Sequence, residues 1–202
     1  MHPKHHGELG DVLHGLLVRL RLRAHHERRD DTLWLGAFAL VNGGISTALM
    51  ALGARLTGEP LVFPSLGPTA FMLFYQPTSP ATCPRNIVFG HLIGILAGYA
   101  SLRVFGLEHA TPALTGGVTW GWIGSAALSL ALTSGLMIWL RVPHPPAGAT
   151  TLIVSLGILP RPTQLVALFV AILLLVLQGL VINRLARIPY PIWGPRRLGP
   201  SR

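Results

Sequence analysis

The chain has 202 residues, half of them apolar and only 11% charged, with a mean hydropathy of +0.54. That composition excludes an ordinary soluble globular domain and identifies an all-α polytopic membrane protein whose first partner is the lipid bilayer. Sixteen Lys and Arg against seven Asp and Glu give +9, but the basic residues gather before Thr32 and after Asn183, so the excess reads as membrane topology and nucleic acid is excluded as a partner.

Residues 1–31 are basic and histidine-rich. Leu9, Val12, Leu13, Leu16, Leu17 and Leu20 recur at helical spacing, which predicts an amphipathic helix on a cytoplasmic membrane surface. His2, His5, His6, His25 and His26 have no cysteine or carboxylate framework around them, so no metal site is expected. Thr32 to Ala54 is a span-length apolar run with Asn42 near its middle, a candidate for either helix packing or a substrate pathway. Asn86 to Phe105 is the second span. Gly90, Gly94 and Gly98 recur on it every four residues, a face smooth enough for another helix to approach closely. Beside them stands His91, an ionisable group within a span and therefore a candidate pathway residue. Thr115 to Leu140 and Pro162 to Leu185 complete four spans. The single cysteine, Cys83, excludes an intrachain disulfide.

Between the spans lie two apolar segments that cannot be regular helices. Phe63-Pro64-Ser65-Leu66-Gly67-Pro68-Thr69-Ala70 and Val142-Pro143-His144-Pro145-Pro146-Ala147-Gly148-Ala149-Thr150-Thr151 both spell Pro-x-x-Gly-x-Thr. Proline removes a backbone donor and pushes the residue before it out of the helical region. Each segment is therefore expected to enter the membrane extended and to start a half-helix at about Pro68 and about Ala149, the second running to a stop at Pro160. Gly67 and Gly148 stand 81 residues apart, and the order span, broken segment, span occurs twice, over 32–105 and 115–185. The transmembrane region is thus predicted as 32–187 in two pseudo-symmetric halves, with a basic tail over 188–202. Paired discontinuous segments in corresponding halves point to a transporter's central site. The half-helix N-termini would aim unpaired amides and partial positive charge at one another, with Ser65, Thr69, Thr150 and Thr151 adding hydroxyls, a cradle for an anion. His144 is expected to face that cavity; a buried, neutral bracing role is the alternative. Basic residues at both ends place both termini in the cytoplasm. Four spans with two re-entrant segments, or six crossings with inverted halves, both satisfy this.

His144 to Thr150, Pro64 to Ala70, and the ending Asn183-Arg184-Leu185 followed by Tyr190-Pro191 resemble the HPP family of integral membrane proteins, over roughly Leu33 to Trp193. The resemblance implies a transmembrane region with four spans. Some members carry a C-terminal CBS-domain pair; since this chain ends shortly after its last span, nucleotide regulation through such domains is not expected, and plastid and cyanobacterial members are associated with nitrite transport. Residues 1–31 lack the look of a transit peptide, so a bacterial inner membrane is expected. The resulting expectation is a transporter or channel for a small monovalent anion, nitrite or nitrate foremost, with Pro64, Ser65, Gly67, Pro68, Thr69, His144, Pro145, Pro146, Gly148, Thr150 and Thr151 at the site and Asn42 and His91 along the path. No cofactor and no enzymatic activity are expected, since the apolar runs contain no carboxylate pair. The glycine-rich faces suggest a homo-oligomer. The runner-up is a non-transporting scaffold or sensor subunit.

Overall fold

The computed structural model describes residues 8–58 and 61–195, with side chains from Thr32 onward apart from Thr57. The chain divides into two compact units, 1–40 and 41–202. The described part of the first is helical throughout, the leading portion of α1 (Glu8–Thr57), and it exposes Leu33, Trp34 and Leu40. The side chains of the expected amphipathic stretch, and the N-terminal histidines, lie outside the described residues.

The second unit continues α1 and adds α2 (Leu66–Tyr75), α3 (Pro84–Val104), α4 (Ala113–Gly116), α5 (Trp120–Trp139), α6 (Ala147–Ser155) and α7 (Pro162–Leu185). Among the described residues four helical stretches are long and apolar enough to cross a membrane: Thr32–Leu56, Pro84–Val104, Trp120–Trp139 and Pro162–Leu185. At 1.5 Å per residue each spans about 30 Å or more. The third is shorter than expected, because Gly117 turns the backbone to φ +85° and separates α4 from α5.

Both broken segments form half-length helices, starting two residues earlier than expected, at Leu66 and Ala147. Pro68 is tolerated because the first-turn amides have no partner within the helix. α6 stops at Ser155, before Pro160: Gly157 adopts φ +76°, its amide bonds to Val154 O and that of Ile158 to Ile153 O, a Schellman closure. The same closure ends α3 at Gly106, α5 at Arg141 and α7 at Arg187.

Helix directions relate the two halves. The start of α3 meets the end of α7 through Arg85 N to Trp193 O (3.0 Å) and Tyr190 Oη to Thr82 O (2.8 Å). The end of α3 meets the start of α7 around Tyr99, Arg103, Arg161 and Pro162. The third helices of the two halves are therefore antiparallel. α2 points toward the end of α7, where Asn183 Nδ2 donates to Leu73 O (3.1 Å). α6 points toward the end of α3, where Ala113 N donates to Leu156 O (3.1 Å). The half-helices thus start beside one another and leave in opposite directions, so the two halves are inverted relative to each other.

Packing is exchanged between halves. α6 lies on α3, where Cβ atoms added at Gly90, Gly94 and Gly98 would stand 2.7 Å from His144 Cβ, 2.8 Å from Ala147 O and 2.7 Å from Thr151 O. The face expected to pack does so, within the chain. Across the repeat Gly98 corresponds to Gly179, whose added Cβ would stand 3.0 Å from Leu73 on α2.

Gly94→Ala is expected to lower the thermal midpoint in detergent, at a cost of about 1–3 kcal/mol for overpacking against backbone. Gly67→Ala, with nothing within 4 Å, should leave it unchanged or raise it. Equal midpoints would contradict the close approach of α6 to α3.

Candidate functional site

The two half-helix starts converge on one fully buried cluster. Thr69 comes from the first turn of α2, Thr150 from the first turn of α6, His144 from the turn before α6, and His91 from the middle of α3; none has accessible surface. His91 bridges the halves, its Nδ1 lying 2.7 Å from Thr150 Oγ1 and its Nε2 3.0 Å from Thr69 Oγ1. Thr69 Oγ1 also lies 3.1 Å from His144 Nε2, and His144 Nδ1 donates to Ala81 O at 2.8 Å. The imidazole centroids are 4.8 Å apart. α3 can place His91 here because Gly90 and Gly94 let the turn at His144 and Ala147 settle directly against the helix.

The expectation of unpaired amides at α6 is corrected. Ala147 N, Gly148 N and Ala149 N donate to His144 O, Pro145 O and Pro146 O at 3.0, 3.0 and 3.1 Å, and Leu66 N at α2 donates to Phe63 O at 2.9 Å. A proline-rich turn in a region without water closes on its own carbonyls rather than leave donors bare. His144, expected to face a cavity, has no accessible surface, although it borders one of the grooves described below. What remains at the centre is a side-chain network of two imidazoles and two hydroxyls.

The motif residues fall into two groups. Ser65, Thr69, His144, Pro146, Thr150 and Thr151 are buried, whereas Pro64, Gly67, Pro68 and Pro145 are exposed and Gly148 is half-buried. The outward group borders two grooves related by the repeat. One, about 330 Å³, runs beside Thr47, Met50, Pro64 and Gly67. The other, about 320 Å³, runs beside Leu130, Ser134, Pro145 and Gly148, with His144 in its floor. Asn42 is half-buried on α1, and none of the cluster's hydrogen bonds described above involves it. Ser65 Oγ and Thr151 Oγ1 are buried without a hydrogen-bond partner.

Sequence reasoning missed three contributors. The Ala81 carbonyl has no side-chain signal. Tyr190 is buried with its hydroxyl on Thr82 O, bracing the turn that carries Ala81; burial pushes its phenol up, so it stays a donor. Ser129 Oγ lies 2.9 Å from Ser155 Oγ, and Ser125 Oγ donates to Ser155 O at 2.9 Å, joining α5 to α6. The four-residue spacing of Ser125, Ser129 and Thr133, all buried, is the signal that could have found this seam. Among the described residues no group of His, Cys, Asp and Glu could hold a metal ion.

Paired half-helices and a buried polar centre among four span-length apolar helices define a polytopic helical membrane protein. The family model for the HPP transmembrane region matches residues 26–191, and the chain belongs to that family. It is similar to two transmembrane proteins of Dictyostelium discoideum. One is 28% identical over 166 residues, covering 79% of this chain and 54% of the relative; the other is 26% identical over 166 residues, covering 79% and 49%. The chain thus spans about half the length of these curated relatives. No solved structure matches it.

Thr69→Val leaves both imidazole Nε2 atoms without their shared partner. A buried polar group so orphaned costs about 1–3 kcal/mol, so the Thr69→Val protein should unfold measurably earlier in detergent than the Thr69→Ser protein, which keeps the hydroxyl. Identical unfolding of the two variants would mean that the bonds to Thr69 contribute nothing.

Proposed function

We propose that this chain is a membrane transporter or channel for a small monovalent anion, nitrite or nitrate foremost, acting at the cluster of Thr69, His91, His144 and Thr150. The observation that carries the reading is the meeting of two oppositely directed half-helices on a buried polar centre contributed by both halves. Polar groups in the hydrocarbon layer are costly and tend to mark substrate and ion pathways. Imidazole and hydroxyl protons can be offered to a small anion, and the dipoles of α2 and α6 add an attraction of at most about 0.3–2 kcal/mol each. That is less than the several kcal/mol lost on burying an ion. Occupancy should therefore be weak and brief, as conduction requires. A buried cluster gives passage only if the halves move apart, and the grooves flanking Pro64 and Pro145 are where they would open.

Orientation follows the positive-inside rule. One end carries Arg85, Arg141, Arg184 and Arg187; the other carries Arg55, Arg103 and Arg161 with Glu108, which pairs with Arg103 at 2.9 Å. The first end, shared with the C-terminal tail, is read as cytoplasmic, in a bacterial inner membrane. With the Gly90, Gly94 and Gly98 face used inside the chain, homo-oligomer contacts fall to other faces. The reading assigns no catalysis. Full burial of the cluster favours one alternative, a scaffold or sensor subunit whose polar core only fixes the fold.

Liposomes carrying the protein should take up nitrite or nitrate faster than protein-free vesicles. His144→Ala and Thr150→Val, each removing a bond of about 1–3 kcal/mol, should slow uptake about tenfold or more. No flux for any small anion, together with binding of a cytosolic protein to residues 8–24, would instead establish the scaffold.

A further inference from the structure

The hydrogen-bond geometry of the cluster fixes where its protons are. A carbonyl oxygen only accepts, so His144 Nδ1 carries a proton toward Ala81 O. In a neutral ring His144 Nε2 is then an acceptor, and its partner Thr69 must donate to it. A hydroxyl has one proton, so the contact between Thr69 Oγ1 and His91 Nε2 can form only if His91 Nε2 donates. His91 Nδ1 is then an acceptor and takes the proton of Thr150. Every bond is satisfied with both histidines neutral and in opposite tautomers, and all four donors point one way, from Thr150 toward Ala81.

Thr69 has a second acceptor in reach. Its Oγ1 lies 3.4 Å from Ser65 O, at the start of α2. If His144 Nε2 gains a proton it becomes a donor, and Thr69 Oγ1 can accept from both imidazoles by turning its own proton to Ser65 O. One proton is added, one positive charge appears on His144, and no donor or acceptor in the cluster is orphaned. Protonation of His91 at Nδ1 would instead displace the Thr150 hydroxyl from its acceptor. A second added proton would put two cations at ring centroids 4.8 Å apart. α2, α3, α5 and α6, which surround the pair, carry no Asp, Glu or Lys to offset them. Their titratable groups are Tyr75, Tyr99, Arg85 and Arg103, with Arg184 on α7, which packs on α2 and α3, and Cys83 and Tyr190 beside the Ala81 turn; none of the pair's hydrogen bonds goes to these.

We propose that the cluster is a binding site for a single proton, taken by His144 and registered by rotation of the Thr69 hydroxyl, and that this proton is the coupling ion that crosses with the anion. Its second part rests on the anion reading of the previous subsection; the first does not. The charge on His144 neutralises a monovalent anion at the cluster, so the pair crosses as an electroneutral unit. A proton already at the site should raise anion affinity, and an anion should raise proton affinity by the same factor.

The test uses the full chain in lipid bilayers. Imidazole ¹⁵N spectra near neutral pH should show His91 protonated at Nε2 and His144 at Nδ1. On acidification His144 alone should become imidazolium, while His91 stays neutral. The same tautomer at both rings, or simultaneous titration of both, would overturn the site. For coupling, nitrate is the probe, since it does not itself carry protons across bare lipid as nitrous acid does. An imposed inward nitrate gradient should acidify the vesicle lumen, with a rate independent of a valinomycin-set potential. Nitrate flux that follows the potential without acidification would overturn the coupling. Absence of flux with the tautomers as stated would overturn the anion reading and leave the proton site standing. Thr69→Ser should keep the tautomers and Thr69→Val lose them; should the latter fail to fold, the wild-type spectra still decide.

Discussion

The structure depends on how closely the backbone at the start of α6 approaches α3. Three glycines one turn apart meet His144 Cβ, Ala147 O and Thr151 O, each at a distance no side chain would permit. This contact lets a proline-broken segment exist inside the helix bundle. In hydrocarbon each backbone polar group must find a partner inside the protein, and the turn from His144 to Ala149 satisfies three amides with its own carbonyls only because it is held in a tight, single conformation. The same contact sets the register of the cluster. His91 follows Gly90 by one residue, about 100° around the helix, which brings its ring beside the docked turn, within reach of both threonines.

Much of this was legible in the sequence, for identifiable reasons. The repeat could be read because proline and glycine act on local backbone regardless of surroundings, so two copies of Pro-x-x-Gly-x-Thr announce two copies of one turn. Span positions followed from bilayer thickness, and α7 begins and ends where hydropathy placed it. The glycine face was legible as a packing face. Its partner was not: small residues say that something approaches, and only the assembled halves show it to be α6 of the other repeat. The fate of His144 was illegible for a related reason. A histidine between prolines is extended in either environment, and its burial depends on Ala81 O, a carbonyl in a loop 63 residues away. The amides at α6 were misjudged because a helix terminus in isolation has free donors, whereas this one is preceded by a turn that consumes them.

The inverted scaffold is symmetric and its chemistry is not. Under the 81-residue offset Thr69 corresponds to Thr150 and Gly98 to Gly179, but His144 corresponds to Phe63 and His91 to Ile172, both buried apolar residues. The two-fold scaffold therefore builds one polar centre rather than two, with the histidines supplied by α3 of one half and the turn of the other. A second buried imidazole pair would carry a second desolvation cost; phenylalanine and isoleucine at the related positions avoid it.

This asymmetry places the cluster across the boundary that would have to open. Three of its bonds, Thr69 to His144, His91 to Thr150 and His144 to Ala81, join one half to the other, while Thr69 to His91 lies within the first half. Displacing one half against the other breaks the three crossing bonds in a dry environment, where each group left without a partner costs about 1–3 kcal/mol. Empty, the halves are held shut by that cost. Water or an anion that accepts from the freed hydroxyls and imidazoles removes most of it, so on the transport reading separation is favoured when something is present to replace the lost bonds. The packing of α6 on the α3 glycines crosses the same boundary, and rigid backbone-to-backbone contact of that kind resists gradual deformation. On the same transport reading, the halves are thereby biased toward discrete arrangements, closed on the cluster or parted around a guest, with little room for states between.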